Sequence, residues 1–435
     1  MLYTFYGDDF TGSTDVLEQL ASNHVPAVLF LGSPSPRHLA NFPHAQAIGI
    51  AGDSRSRSPQ WMTENLPALF TTLKSFNAPI NHYKVCSTFD SAPHIGSIGR
   101  AMEIGKEVFA PTFIPIVVAA PHLRRYVIFG NLFAEALNGE VLRIDLHPMA
   151  HHPVTPMREA NLRLHLRSQT QLPIGLVDLL ALRSGAAAGT LDDQLAAGSQ
   201  AILFDGLDPH GPHQPTLTAT GDLLWQRAQQ SPLFSASSSG LTAALIPAWR
   251  SVGLIPATTP APKHLQSPAP LLVVSGSCSV VTANQIQWAL AHGFHGIAID
   301  TARLLDPNTA AAERAHSLSA ASASLASGQS TILYTALGPP AGTAQGDNLG
   351  IALGHLLREL LLATPTRRVL LCGGDTSSHA TQQLGLYALT WSSRVQTGAP
   401  LCRASSDDPT LDGLELVLKG GQVGTADFFH AVHLA

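Results

Sequence analysis

The chain has few charged, aromatic and cysteine residues for its length of 435. Asp, Glu, Lys and Arg make up 13% of it and aromatic residues 6%, whereas hydrophobic residues make up 45%. This balance is typical of a globular protein with well-covered sheets and excludes an intrinsically disordered chain. The net charge is −5, so the sequence lacks the basic excess that nucleic-acid-binding proteins carry, and we expect no nucleic-acid partner.

Long apolar runs are also missing. None approaches the roughly 18 residues that a membrane span requires, and Asp8 and Asp9 stand where a signal peptide would be basic. The four cysteines form no Cys-x-x-Cys pair, which disfavours a structural zinc site or a disulfide framework. We therefore expect a cytoplasmic protein with no membrane partner, and the scattered histidines leave the metal ligands unknown.

Two nucleotide-binding patterns are absent. The chain contains neither a Walker A motif nor a Rossmann Gly-x-Gly-x-x-Gly, which disfavours a P-loop NTPase and an ordinary dehydrogenase. Any phosphate site in this chain must be built in another way.

Short continuous apolar runs alternate with helical patterns along the chain. Strands covered on both faces produce such runs, as parallel sheets do. We predict an α/β fold of two doubly wound, largely parallel-sheet domains facing a cleft. Apolar strands are predicted at 28–31, 47–50, 114–119 and 201–204.

The domain boundaries come from a proline-rich stretch. Six prolines fall between Pro247 and Pro270, so we expect neither a helix nor a central strand there. The prediction is a first domain over 1–250, a Pro-rich linker over 251–270 and a second domain over 271–435.

The stretch FYGDDFTGSTDVLEQLA places two carboxylates, Asp8 and Asp9, between a strand and a helix. We expect Thr11 or Ser13 to cap this helix and Asp15 to lie in its first turn, where the helix dipole favours negative charge. The two neighbouring carboxylates repel each other and need compensation. A turn in which they accept backbone N–H groups and a substrate or metal site both remain open.

Three strands of the second half end in turns of small residues that open helices. Ligands of open α/β sheets bind at the carboxyl ends of strands, and helix N-termini offer N–H groups to phosphate. Each dipole contact contributes only about 0.3–1 kcal/mol, so several must converge to hold a nucleotide. Cys278 and Cys372, beside two of these turns, are expected to be small buried fillers. The candidate phosphate-binding residues are Ser275, Ser277, Gly373, Gly374, Asp375, Thr376, Gly420, Gly421 and Gly424.

Charged residues follow strands of the first half as well. Arg55 and Arg57 come after one strand, and one of the two is expected to form only a surface ion pair. Lys84 ends another strand, with Ser87 and Thr88 just beyond, and is expected to have a buried partner. Cations there would hold the carboxylate of a small polyol acid, and the aspartates would hold its hydroxyls.

The motif GDDFTGSTDV resembles the signature of the four-carbon acid sugar kinases. SGSCSVVTANQIQWAL, LCGGDTSSHATQQLG, LVLKGGQVGTADFF, HHPVTPMREANL and SSSGLTAAL are also similar to motifs of that family, in the same order. The resemblance covers nearly the whole chain. It implies a sugar-acid-binding N-terminal domain, a nucleotide-binding C-terminal domain, and the cofactors ATP and Mg²⁺.

The resemblance also implies roles for particular residues. Asp9, Arg55 and Lys84 would contact the sugar acid, and Ser277, the turn 373–376 and Gly421 would contact ATP. Asp8 and Asp9 are implied to grip and polarise the accepting hydroxyl and to bind Mg²⁺. General-base logic favours Asp9 as the base or hydroxyl-orienting group, with Asp8 as its metal or structural partner. The family pattern leaves homodimer formation open.

One segment departs from the family pattern Lys-x-Asp-Ser-Thr-Leu-Arg-Gly. Here Cys86 replaces the aspartate, and Asp90 and Ser91 replace the Arg-Gly pair. Kinase chemistry is unaffected, but threonate and erythronate become doubtful substrates. A branched or oxidised acid such as 3-oxo-isoapionate is the candidate, with Cys86 expected to face a carbon, a carbonyl or Ser87.

Two other functional classes remain open. One is a two-lobed, non-catalytic binding protein for a sugar acid, and the other is a ligase that uses ATP to activate a sugar-acid carboxylate. The kinase would yield a phosphate ester with ADP, whereas the ligase would yield an activated acyl group.

Overall fold

The computed structural model describes residues 1–136, 138–152, 154–208, 213–257, 270–338 and 347–435, without the side chains of Asp347 and Asp375. The chain divides into two compact units. The N-terminal unit comprises Met1–Asp8, Gln19–Ala27 and Leu39–Pro260, and the C-terminal unit comprises Asp9–Glu18, Val28–His38 and Ala261–Ala435. Two early segments thus group with the second half, and the predicted boundaries at 250 and 271 stay a prediction.

The described strands are β1 Tyr3–Gly7, β2 Ala27–Phe30, β3 Ala47–Ala51, β4 Ile80–Lys84, β5 Ile114–Val117, β6 Arg125–Ile128, β7 Asn131–Glu135, β8 Val141–Arg143, β9 Ile174–Val177, β10 Ala201–Phe204, β11 Leu233–Ser237, β12 Leu272–Ser275, β13 His295–Ala298, β14 Thr331–Tyr334, β15 Arg368–Cys372, β16 Leu386–Gln396, β17 Ala399–Ser406 and β18 Glu415–Lys419.

The described helices are α1 Phe10–Ala21, α2 Pro36–Leu39, α3 Pro59–Lys74, α4 Ile98–Phe109, α5 Leu162–Arg167, α6 Leu179–Ser184, α7 Ala187–Ala196, α8 Pro215–Gln230, α9 Gly240–Ser251, α10 Val280–Ala291, α11 Thr301–Leu305, α12 Ala310–Ala326, α13 Asp347–Ala363, α14 Gly374–Gln382 and α15 Phe428–Leu434.

The N-terminal unit contains two parallel sheets. One has the order β11-β4-β1-β3 and the other β5-β10-β9. Every residue of β1, β4, β10 and β11 is buried, as expected for strands covered on both faces. A small antiparallel sheet, β6-β7-β8, accompanies them.

The C-terminal unit is built on five parallel strands in the order β13-β14-β12-β15-β18. Antiparallel strands continue this sheet, because β17 pairs with β18, β16 with β17, and β16 with β2. The sequence patterns did not indicate the long β16–β17 hairpin. The predicted α/β fold with two largely parallel-sheet domains is confirmed.

The expectation that no helix is present from Pro247 onwards is wrong for the first part of that stretch. Helix α9 continues through Pro247 to Ser251. The buried side chains of Leu245, Ile246 and Trp249 anchor this helix, and their packing outweighs the proline cost of about 3 kcal/mol. The linker residues 258–269 lie outside the described residues. Among the described helices, none combines the length and the apolar composition that crossing a bilayer requires.

Candidate active site

Asp8 directly follows β1 and forms a bidentate ion pair with Arg55. Arg55 donates from Nη2 to Asp8 Oδ1 at 2.6 Å and from Nε to Oδ2 at 3.1 Å. The Asp8 backbone N–H donates to the Lys84 carbonyl, because β1 and β4 end side by side. The guanidinium of Arg55 thus compensates the negative charge of Asp8, one of the two adjacent carboxylates.

Asp9 is the residue before helix α1 and caps it. Its Oδ1 accepts the Gly12 backbone N–H at 2.9 Å, and its carbonyl accepts the Ser13 backbone N–H. The expected caps, Thr11 and Ser13, are therefore wrong, and Asp15 lies beyond the first turn. The helix begins earlier than predicted because an aspartate next to the strand already has the capping geometry.

Lys84 ends β4 and is almost completely buried, with 3% of its surface exposed. Among the residues that the structure describes, its ammonium has no hydrogen-bond or ion-pair partner, so the expected buried partner is not there. Ser87, a residue with 8% of its surface exposed, also has a hydroxyl without a hydrogen-bond partner in the described residues. An ammonium at the end of a nearly buried lysine, without a protein partner, is the kind of group that an anionic ligand pairs with.

The segment after Lys84 forms a chain of hydrogen bonds. Cys86 Sγ lies 2.9 Å from Thr88 Oγ1, and Thr88 donates to Asp90 Oδ1 at 2.6 Å. Cys86 was expected to face a carbon, a carbonyl or Ser87. For its partner inside the protein this expectation is wrong, because Cys86 Sγ contacts the Thr88 hydroxyl. Burial raises the pKa of Asp90, but the charge of Arg55 and the Thr88 hydrogen bond outweigh it, so the pKa lies below its ordinary value.

Phe89, in the middle of this segment, has a φ of +58° although it carries a side chain. Such a conformation costs about 1–3 kcal/mol and persists only where the surroundings impose it. The buried Phe89 ring packs against His165, with ring centroids 6.2 Å apart. The loop 85–91 is therefore held in one defined shape.

Sequence reasoning missed a polar group behind this loop. Ser91 Oγ lies 2.9 Å from His165 Nε2, and Gln169 Nε2 lies 2.9 Å from Ser91 Oγ. Burial lowers the pKa of His165 to about 4, so its ring is neutral near pH 7. No motif pointed to these residues, which the fold brings together across 74 positions of the chain.

Arg57 does not join Arg55 and Lys84. It pairs with Asp53 and lies over the Trp61 ring, 5.6 Å from its centroid. One of the two arginines was expected to form only a surface ion pair, and Arg57, with 30% of its side chain exposed, has that arrangement.

The three predicted phosphate-binding turns of the C-terminal unit follow adjacent strands. Ser275 of β12 is in register with Cys372 of β15, and Cys372 is in register with Lys419 of β18. The turns therefore begin side by side at the carboxyl edge of one parallel sheet. The Ser275 hydroxyl is fully buried and has no partner among the described residues.

The central turn opens helix α14. Gly373 has a φ of +112°, so a side chain there would be strained, and it is the cap of α14 without any side-chain hydrogen bond. Gly374 has an ordinary φ, and a Cβ there would meet no atom within 4 Å. Gly373, rather than Gly374, therefore makes the turn. Thr376 is buried, and the Asp375 side chain lies outside the described part.

The outer turns pack against each other. A Cβ on Gly421 would lie 3.1 Å from Ser277 Oγ, and that oxygen accepts the Ser279 backbone N–H. Gly420 would make only ordinary contacts with an added Cβ. At Gly424, by contrast, a Cβ would lie 2.6 Å from the Phe428 ring, so this glycine makes room for packing.

Lys419 was part of a predicted turn but was given no role. It is fully buried and donates from Nζ to Thr282 Oγ1 at 3.1 Å and to the Gly420 carbonyl at 3.0 Å. Burial lowers the pKa of this lysine. A lysine that ends a buried strand just before two glycines is the signal that could have revealed it.

The two cysteines beside these turns differ. Cys372 is buried, as expected, and burial raises the pKa of its thiol to about 12. Cys278 is exposed, so the expectation of a buried filler is wrong there, because it lies in the turn rather than at the end of the strand.

Comparisons with known proteins match both halves of the chain. The model of a sugar-binding N-terminal domain matches residues 3–245, and the model of a nucleotide-binding C-terminal domain matches residues 272–429.

Two curated relatives span nearly the whole chain. The 3-oxo-isoapionate kinase of Paraburkholderia graminis is 45% identical over 99% of this chain and 94% of its own. The 3-oxo-tetronate kinase of Methylobacterium radiotolerans is 30% identical over 97% of this chain and 96% of its own.

Solved structures resemble the fold over the same length. A crystal structure from Salmonella typhimurium LT2 has a TM-score of 0.78 and 25% identity, covering 99% of this chain and 98% of its own. A Haemophilus influenzae structure has a TM-score of 0.68 and 24% identity, with the same coverage of both chains.

Proposed function

Because this chain belongs to the four-carbon acid sugar kinase family, we propose that it binds a small acid sugar through its N-terminal unit and transfers the γ-phosphoryl group of ATP to one of its hydroxyls. The products are a phosphate ester and ADP, and the hydroxyl proton is released. The full-length match to two curated kinases supports an ATP-dependent acid sugar kinase.

Lys84 has 3% of its surface exposed, and its ammonium has no hydrogen-bond or ion-pair partner among the described residues; this observation carries the acid-sugar assignment. A neutral sugar would leave this charge uncompensated, whereas a carboxylate supplies the missing partner. Ser87 adds a hydroxyl three residues later, in the loop 85–91 that the positive φ of Phe89 shapes. A charge-assisted hydrogen bond of this type contributes about 1.5–3 kcal/mol.

The in-register turns after β12, β15 and β18 support the ATP assignment. Gly373, the cap residue of α14, makes no side-chain hydrogen bond, so the N–H groups of the first turn are suited to phosphate oxygens. Ser277, Thr376 and Gly421 stand around this turn. Phosphoryl transfer depends mostly on positioning and electrostatic stabilisation, which such backbone donors provide.

Asp9 is proposed to orient and deprotonate the accepting hydroxyl. Its carboxylate is fixed by the Gly12 N–H, which holds it at the start of α1. Asp8 is proposed to act through Arg55, holding the guanidinium in place. Bound Mg²⁺ would supply neutralisation of the charge on the transferring phosphoryl group.

We propose that the specific substrate is a branched or 3-oxo acid sugar. The relative with 45% identity is a 3-oxo-isoapionate kinase, and the loop around Cys86 and Asp90 departs from the family pattern. A buried site that lacks a partner for a substrate hydroxyl rejects that substrate strongly. D-Threonate and D-erythronate should therefore be poor substrates.

A substrate screen tests this function. The protein is mixed with ATP, Mg²⁺ and each of a panel of four- and five-carbon acid sugars, and ADP release and the phosphorylated carbon are determined. We expect a phosphate ester and a turnover within roughly 1–100 s⁻¹ on the true substrate. An activated acyl product would indicate a ligase, and binding without turnover a binding protein. Either result would refute the proposal.

The proposal also includes the location of the protein in the cell and its oligomeric state. A cytoplasmic location agrees with cysteines that are all free among the described residues. A homodimer is the proposed oligomeric state, and sedimentation of the purified protein at the mass of a single chain would refute it.

A further inference from the structure

One face of helix α1 carries three buried polar side chains. Thr11, Asp15 and Glu18 are spaced by four and three residues, so they lie on the same face. Their exposed fractions are 9%, 5% and 2%. This part of α1, residues 9–18, belongs to the C-terminal unit.

The three side chains differ in their partners. Glu18 accepts a hydrogen bond from Arg394 Nε at 2.6 Å and another from the Gly398 backbone N–H at 3.2 Å. Thr11 Oγ1 and Asp15 Oδ1, in contrast, are buried atoms without any hydrogen-bond partner in the described part of the chain. A buried carboxylate oxygen without a hydrogen bond is unfavourable.

This face lies against the predicted phosphate site. Thr11 Cγ2 is 3.8 Å from the position that a Cβ on Gly420 would occupy, and Glu18 is held at the turn of the β16–β17 hairpin. Asp15 lies between them on the helix. Lys419, which precedes Gly420, donates to Thr282 and to the Gly420 carbonyl, and no hydrogen bond joins it to Asp15 in the described part of the chain.

A negative charge in this position opposes the binding of a triphosphate unless a cation stands between the two. Mg²⁺ is typically held by one or two carboxylates together with substrate phosphates and water. Among the described residues, no three His, Cys, Asp or Glu side chains form a metal-binding group. A single protein carboxylate that shares the ion with the phosphates fits both observations.

We propose that Asp15 is the carboxylate that anchors the divalent cation of MgATP, an assignment that rests on the proposed ATP-dependent function. Asp8 and Asp9 are already engaged, by Arg55 and by the cap of α1. Asp15 keeps a buried oxygen for the ion, and the Thr11 hydroxyl one turn earlier is placed to bind a water of its shell.

The test measures how Mg²⁺ changes ATP affinity, which does not depend on catalysis. ATP is titrated calorimetrically into the wild type, Asp15→Asn and Glu18→Gln, each with Mg²⁺ and with EDTA. The wild type should bind ATP about 10- to 100-fold more tightly with Mg²⁺, the value of one ionic contact. In Asp15→Asn this ratio should fall to about 1, and ATP in EDTA should bind at least as tightly as to the wild type.

Glu18→Gln is the matched control, because it removes a buried carboxylate on the same helix face, and that carboxylate is already paired with Arg394. It should keep the wild-type ratio. An Asp15→Asn protein with the wild-type ratio would refute the assignment of the cation while leaving ATP binding intact. A wild type that binds no ATP would refute the proposed function, and this assignment with it.

A measurement on the wild type covers the case in which Asp15→Asn fails to fold. Fe²⁺ replaces Mg²⁺ in the presence of ATP, and ascorbate then starts cleavage of the backbone near the metal. Cleavage is expected close to residue 15 and close to Gly420. Cleavage only at other positions would overturn the proposal.

Discussion

Replacing Gly374 by alanine separates phosphate binding from folding. Gly374 is the first residue of α14 and has an ordinary φ, and an added Cβ would meet no protein atom within 4 Å. The methyl group therefore projects into the space beside the uncapped N–H groups. If phosphate oxygens approach this backbone, the methyl group stands in their path.

The structure predicts that Gly374→Ala leaves folding stability unchanged or raised but weakens ATP binding. Folding should be unchanged or stabilised by about 0.4–1 kcal/mol, because alanine restricts the unfolded chain and fits this conformation. ATP binding should weaken by the value of one hydrogen bond to a charged group, about 1.5–3 kcal/mol, which is roughly 10- to 100-fold in Kd.

Gly189→Ala is the matched control. Gly189 lies in the first turn of α7 in the N-terminal unit, and a Cβ there also meets no atom within 4 Å. It should show the same small change in stability with no change in ATP affinity. Gly373→Ala should instead lower stability as well, because it forces a side chain to a φ of +112°.

Calorimetric titration with ATP and thermal unfolding of the four proteins decide the matter. An unaltered ATP affinity in Gly374→Ala, with the fold intact, would remove this turn from the nucleotide site. A loss of stability equal to that of Gly373→Ala would refute the view that the space at Gly374 is open.

Three further changes test the other sites. Lys84→Met should raise the Kd for the acid sugar about 10- to 100-fold without lowering Tm, because the ammonium that it removes makes no hydrogen bond or ion pair with the described residues; an unchanged Kd would contradict the carboxylate assignment. Cys86→Asp should narrow the preference in kcat/KM for branched or 3-oxo acids over D-threonate, whereas an unaltered ratio would show that the loop only packs beneath the site. Burial raises the pKa of Glu18 from 4.5 to about 7, so the wild type loses up to about 3 kcal/mol of stability as pH rises through that interval. Glu18→Gln avoids this loss, and its Tm relative to that of the wild type should rise between about pH 5 and pH 8. A Tm difference that stays constant over this pH range would contradict the prediction.

The sequence was sufficient wherever a local pattern encodes the structure. Continuous apolar runs predicted the strands at 28–31, 47–50 and 201–204 to within one residue, since burial on both faces requires such runs. Small residues after β12, β15 and β18 marked the phosphate turns in the same way. The hairpin of β16 and β17 was not predicted, because its residues carry no clear alternation or turn signature and its pairing depends on distant strands.

The candidate site shows the same division between local pattern and tertiary contact. Residue type and spacing alone placed Asp8, Asp9, Arg55, Lys84 and the glycine turns at the ends of strands. Only the fold decided that Arg55 holds Asp8, and that Lys84 Nζ and Asp15 Oδ1 have no hydrogen-bond partner in the part of the chain that the structure describes. Partners such as Asp8 and Arg55 are 47 residues apart, so their pairing depends on which strands lie side by side. Local sequence determines what a side chain can do, whereas tertiary packing determines which charges it meets and how far water is excluded from them.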